Sequence, residues 1–113
     1  MSRHESLVRL RHMLDHAREA VAILDGKSRE DLDRDRQLNL ALVRLLEIVG
    51  EAANKMPAEE RLRYADVPWS AIVGLRNRLI HGYDSVDFDI LWEVARHDLP
   101  PLIETLAKIL PGT

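Results

Sequence analysis

The stretch "RQLNLALVRLLEIVGEAANK", residues 36–55, limits the possible folds more than any other part of the chain. Leu38, Ala41, Leu42, Leu45, Leu46, Ile48, Val49, Ala52 and Ala53 recur at three- and four-residue spacing, the period of a helix. At ~100° per residue its only clean polar stripe is Arg44, Glu47, Glu51 and Lys55, with Asn54 at the margin. A helix this apolar must be covered on several sides. In a chain of 113 residues, one of those sides can belong to a second copy of the protein. Gly50 would allow another helix to approach closely, at a cost of about 1 kcal/mol in helix propensity.

The rest of the chain also has helical spacing. A first helix is expected from Ser2 to Leu24, opened by a Ser2–Glu5 capping box and closed before Gly26. Leu7, Leu10, Leu14, Ala17, Val21 and Leu24 form its narrow apolar seam. "DGKSREDLDRD" reads as a charged connection to the second helix, Arg36 to Lys55, which stops before Pro57. "PAEERLRYADVP" reads as a short helical turn and a loop. Pro68 suits the first position of a third helix, "PWSAIVGLRNRLIH", for which Gly82 is the expected C-cap. Asp87 is the expected N-cap of "FDILWEVARHDL", and Pro100 and Pro101 restart the helix as "PLIETLAKIL". Leu99, Leu102, Ile103, Leu106, Ile109 and Leu110 mark its buried face. The expected fold is an all-α, antiparallel bundle of four main helices with short helical segments, forming a single domain over residues 1–113.

Composition narrows the functional classes. Apolar residues make up 46% and aromatics 4%, which favours a packed helical core over a sheet. The absence of cysteine excludes a disulfide framework, a thiolate zinc site and a cysteine nucleophile, and it suits a reducing, cytoplasmic setting. No signal peptide or membrane span is expected, because no long uncharged apolar run occurs. The formal charge is -3, which rules out a basic coat but leaves room for a local basic pocket. Of the 16 basic residues 13 are Arg, the better residue for forked phosphate contacts.

Within "LRNRLIHGY", residues 75–83, polar groups interrupt a packing helix. On a wheel with Ile72 at zero, Trp69, Val73, Leu75, Leu79 and Ile80 fall in an arc of ~160°. Arg76 lies ~40° from Ile72, inside that arc, with Asn77 and His81 along one edge. Arg76 is therefore expected to point inward, where an unpaired guanidinium would cost several kcal/mol. It must be paired with Glu47 or Glu51, or it must face a polar cleft that holds an anion. The two arrangements are compatible. Asn77 and His81, four apart, would be neighbours on the helix, with His81 in its last turn. An imidazole that titrates near neutral pH is a natural proton carrier.

Other candidates carry less. His12 and His16 have the i, i+4 spacing of a two-histidine metal site, but no third ligand accompanies them. "RLRY" and "REDLDRDR" read as solvated charge. Trp69 and Trp92 read as core or dimer contacts. No Gly-rich phosphate loop and no Ser/His/Asp pattern is present.

The motif resembles a known family. "RNRLIHGY" is similar to the R-x-x-x-x-H-x-Y signature of HepT-type toxins in the HEPN superfamily, with Arg76, His81 and Tyr83 at the motif positions. The Asn that follows the arginine in many HEPN ribonucleases is present as Asn77. "LVRLLEIVGEAANKMP" and "YADVPWSAIVGLRNRLIHGYDSVDFDILWEV" extend the resemblance over essentially the whole chain.

The resemblance implies a homodimer whose two motifs meet in one cleft and cleave RNA without a metal or other cofactor. Arg76, Asn77 and His81 would be catalytic; Glu47, Glu51 and Arg44, from the polar stripe of the second helix, are the expected supporting polar groups. It further implies a type VII toxin–antitoxin system, in which an MNT-type nucleotidyltransferase antitoxin adenylylates Tyr83. Bulky, negative AMP units there would block the cleft and neutralise the arginine. A different class remains open: a non-catalytic helical adaptor that grips a nucleotide or partner protein through Arg76 and His81.

Overall fold

In the computed structural model the described residues are 1–83 and 85–112. The two apolar helices predicted first form the centre. Helix α1, Arg3–Ile23, starts at Ser2, whose side chain accepts the Glu5 amide at 3.1 Å. It buries Ser6, Leu10, Met13, Leu14, Ala17 and Ala20. Helix α3, Arg36–Asn54, packs along it and buries Leu38, Leu42, Leu45, Leu46, Val49, Ala52 and Ala53. The Asp35 carboxylate caps α3 by accepting the Leu38 amide at 3.0 Å.

The connection between them carries more structure than its charge suggests. It contains a helical turn, α2, Asp31–Arg34, whose Leu32 is fully buried. Arg29, read from sequence as solvated, reaches Asp89 at 2.7 Å and Asp33 at 3.1 Å. The hydrogen bond to Asp89 is the main cause of its raised pKa. After α3 comes α4, Ala58–Arg63. Arg61 in "RLRY" is likewise not plain surface charge. Its guanidinium donates to the carbonyls of Met56 at 2.9 Å, Asn54 at 3.3 Å and Ala53 at 3.4 Å, satisfying the orphan acceptors at the end of α3. Trp69 is a core residue, and its indole N–H donates to the carbonyls of Arg61 and Tyr64.

The predicted third helix is not one continuous helix. It forms α5, Trp69–Val73, and α6, Leu75–Leu79, interrupted at Gly74. The close approach predicted at Gly50 is present: a Cβ there would stand 3.3 Å from the Ile72 carbonyl oxygen. Ile80 is extended and caps α6, so Gly82 does not fill that position. A β-branched residue at the boundary favours this extended geometry.

Last come α7, Phe88–Glu93, a π-helical turn, Val94–Asp98, and α8, Leu99–Ile109. The two prolines do not restart a helix after a break. They stand in the first turn of α8 and lack the N–H groups that would bond back to Arg96 and His97, so the ladder widens there while the helical path continues. Leu99, Leu102, Leu106 and Leu110 of this arm complete the core. Among the described residues the one β feature is an isolated bridge between Ile80 and Val86. None of the described helices is long and apolar enough to cross a membrane.

Candidate functional site

The Ile80–Val86 bridge organises the polar motif. On either side of it the His81 amide donates to the Ser85 carbonyl at 2.6 Å and the Asp87 amide to the Leu79 carbonyl at 2.8 Å. The segment carrying His81, Gly82 and Tyr83 is thus tied at both ends to the start of α7. Gly82 has φ of 95°, a conformation glycine adopts without a steric penalty. Asp84, within the predicted polar loop, lies outside the described residues.

Against this segment, α3 and α6 enclose a cleft of about 490 Å³. Arg36, Asn39 and Glu47 of α3, Arg76 of α6 and Tyr83 of the loop supply its principal polar groups, and Val86 and Phe88 part of its apolar wall. A volume in the range of ~300–1,000 Å³ suits a small organic ligand or one segment of a polymer.

Arg76 does not point into the core, as the wheel predicted. Its side chain is 64% exposed at the edge of α6, and its Nε lies 3.6 Å from Glu47 Oε2. The wheel assumed one unbroken helix with its arc buried throughout. In the structure the buried positions narrow to Trp69, Ile72, Leu75 and Leu79, leaving Arg76 on the rim. An ion pair this exposed is worth about 0–1 kcal/mol, too little for a structural tether between helices. It orients a guanidinium that remains accessible from the cleft.

His81 departs from expectation in two ways. It lies beyond the end of α6, outside the last turn in which it was expected, and it is not an i, i+4 neighbour of Asn77 within a helix. It is also not part of the cleft wall, whereas Ile80 and Gly82 on either side of it are. His81 Nε2 instead lies 4.0 Å from Asp87 Oδ2. The other carboxylate oxygen of Asp87 accepts the amides of Asp89 at 3.0 Å and Ile90 at 3.1 Å, as an N-cap should.

The remaining predicted residues divide. Tyr83 is fully exposed, at 104%, and lines the same cleft as Arg76. Glu47 is the carboxylate that meets Arg76. Glu51 instead pairs with Arg44 at 3.3 Å, and neither lines the cleft. Asn77 is exposed and outside the cleft wall. His16 turns its Nδ1–H onto the His12 carbonyl at 2.6 Å, spending one ring nitrogen within the helix. Among the described residues no group of three or more His, Asp or Glu is placed to hold a metal ion.

Sequence reasoning missed Arg36, Asn39 and Phe88 as cleft residues. Asn39 offered a signal: a polar residue within an otherwise apolar helix face. It is 4% exposed and its amide donates to the Leu32 carbonyl at 2.9 Å.

Comparison with known proteins gives the chain relatives over most of its length. Over 101 residues the chain is 39% identical to a protein of Caldanaerobacter subterraneus subsp. tengcongensis with the provisional name RNase TTE0752, covering 89% of this chain and 90% of that one. It is 32% identical over 100 residues to a protein of Thermococcus cleftensis named as a probable ribonuclease HepT, covering 85% and 91%. It is 30% identical over 102 residues to a Methanocaldococcus jannaschii protein provisionally named RNase MJ1380, covering 90% and 94%. No solved structure matches the chain significantly. The model of the family described as ribonuclease HepT-like matches residues 13–109, nearly the whole bundle and all of the cleft. The chain belongs to the HepT-like ribonuclease family of the HEPN superfamily.

Proposed function

We propose that this protein is an endoribonuclease toxin of a type VII toxin–antitoxin system, acting as a cytoplasmic homodimer without a metal. The observation that supports this best is the shared cleft, in which the accessible Arg76 guanidinium and the exposed Tyr83 ring stand together beside the tethered His81 segment.

Cleavage needs one group to take the proton from the RNA 2'-hydroxyl and another to protonate the leaving 5'-oxygen. The 2'-oxygen attacks phosphorus, the bond to the 5'-oxygen breaks, and the product carries a 2',3'-cyclic phosphate. His81 is suited to one proton transfer, and the same histidine of a second protomer to the other. Arg76 would stabilise the added negative charge on the pentacoordinate phosphate. Leu40, 52% exposed on the cleft wall, and the exposed Ala41 beside it provide apolar surface that suits a second copy.

Tyr83 is the proposed switch. An MNT-type nucleotidyltransferase antitoxin would transfer AMP from ATP to its phenolic oxygen, releasing pyrophosphate. The added phosphate would face Arg76 across the cleft. Incubation with such a partner and ATP should raise the mass of the wild type by whole AMP units and leave Tyr83→Phe unchanged. Equal modification of Tyr83→Phe would overturn the switch.

One observation favours a second reading. His81 turns away from the cleft toward Asp87, as suits an adaptor that holds a phosphate without cutting it. Incubating the purified protein with RNA in chelator separates the two, since an adaptor binds and leaves the RNA intact.

A further inference from the structure

The cleft contains a second guanidinium that no part of the motif includes. Arg36, at the start of α3, lines the same cleft as Arg76, and its Nη1 donates to Asn39 Oδ1 at 3.3 Å. Asn39 is well placed to hold it. The Asn39 amide is buried and spends an N–H on the Leu32 carbonyl, which fixes its oxygen toward Arg36.

Charge distinguishes Arg36 from Arg76, the other guanidinium that lines the cleft. Arg29, Arg44, Arg63, Arg76 and Arg78 each have a carboxylate within 4.0 Å. Among the described residues Arg36 has none, and its guanidinium is held in the cleft by the neutral Asn39 amide instead. Among the cleft's described lining residues, Arg36 and Arg76 against Glu47 sum to +1, in a chain whose formal charge is -3. That local balance suits an anion on an otherwise acidic protein. Val86 and Phe88 give the cleft an apolar wall, which suits a nucleotide base better than it suits a bare inorganic anion.

We propose that Arg36 is a phosphate-binding residue of a second subsite, taking an RNA phosphate that flanks the one at Arg76 while the intervening nucleotide lies against Val86 and Phe88. This deepens the ribonuclease reading and rests on it for the identity of the strand. Arg36 positions substrate and takes no part in proton transfer.

The test is binding of a short, mixed-sequence 2'-O-methyl oligonucleotide, which lacks the attacking hydroxyl, measured by fluorescence anisotropy over a series of salt concentrations. Each phosphate contact on a single strand contributes about 0.7 to the slope of log K against log salt. Arg36→Gln should lower that slope by about 0.7 and weaken binding at every salt concentration. Arg36→Lys, which keeps the charge, should restore the slope. Thermal melting of both variants checks that the fold survives, and Arg36 is exposed, so it should. An unchanged slope in Arg36→Gln overturns the subsite, even if the protein cleaves unmodified RNA. Wild-type binding with an Arg36-dependent slope, but no cleavage of unmodified RNA, sustains the subsite and overturns the ribonuclease reading instead.

Discussion

Asp87 holds the first amides of α7 with one carboxylate oxygen and stands 4.0 Å from the His81 imidazole with the other. One residue thus joins a structural cap to the proposed proton carrier. The two roles separate by substitution. Asn caps helices about as well as Asp, so Asp87→Asn should melt close to the wild type while losing the charge that faces His81. Asp87→Ala loses the cap as well and should be destabilised by about 1 kcal/mol. Misplacing a reacting group can cost on the order of 10²-fold, so RNA cleavage by Asp87→Asn should fall by roughly ten- to a hundredfold. Melting curves and single-turnover cleavage on the same samples check both. Full activity in Asp87→Asn would limit Asp87 to capping.

Glu47 is the internal competitor for Arg76. Because the pair is exposed, Glu47→Gln should leave the melting temperature nearly unchanged. It should also free Arg76 and remove a negative charge from the cleft, tightening RNA binding by about two- to fivefold. Titration of a non-cleavable oligonucleotide reads this directly. Weaker binding would mean that Glu47 holds Arg76 in its working position.

The connection before α3 should respond to acid. The Ser28 amide donates to the Asp31 carboxylate at 2.8 Å and is the main cause of its lowered pKa. A depressed carboxylate pKa stabilises the fold above its unfolded value, and that contribution is lost as pH falls through the folded value. Wild type should therefore resist urea better than Asp31→Asn at neutral pH. The difference should shrink once pH drops below the ordinary value of 3.8. Urea unfolding of both proteins at pH 7 and pH 3 measures it, and a difference independent of pH would contradict the account.

The fold could be read from sequence wherever periodicity was long. Helices α1 and α3 begin and end within a residue or two of their predicted limits, because caps at Ser2 and Asp35 and uninterrupted apolar spacing specify them. Short segments were harder. Gly74 and Ile80 divide what looked like one helix, and the wheel had no means to register the break. The error moved Arg76 from the core to a cleft rim and took His81 out of the helix. Arg36 was missed for a related reason, since its place in the cleft depends on how α3 meets the residue 80–86 segment, a contact between distant parts of the chain. Tyr83's place at the cleft was legible from the motif, whereas the polar stripe offered Glu47 or Glu51 as the carboxylate for Arg76 and only the packing selects Glu47.

His81 is proposed to carry a proton in RNA cleavage beside Arg76. The most direct test of that role is the single-turnover cleavage rate of a defined RNA in chelator, for wild type and His81→Ala, with each protein's dimer confirmed by light scattering. The wild type should cleave to a 2',3'-cyclic phosphate, and an intact His81→Ala dimer should lose at least about 10²-fold in rate. Cleavage by His81→Ala at the wild-type rate would contradict the proposed role.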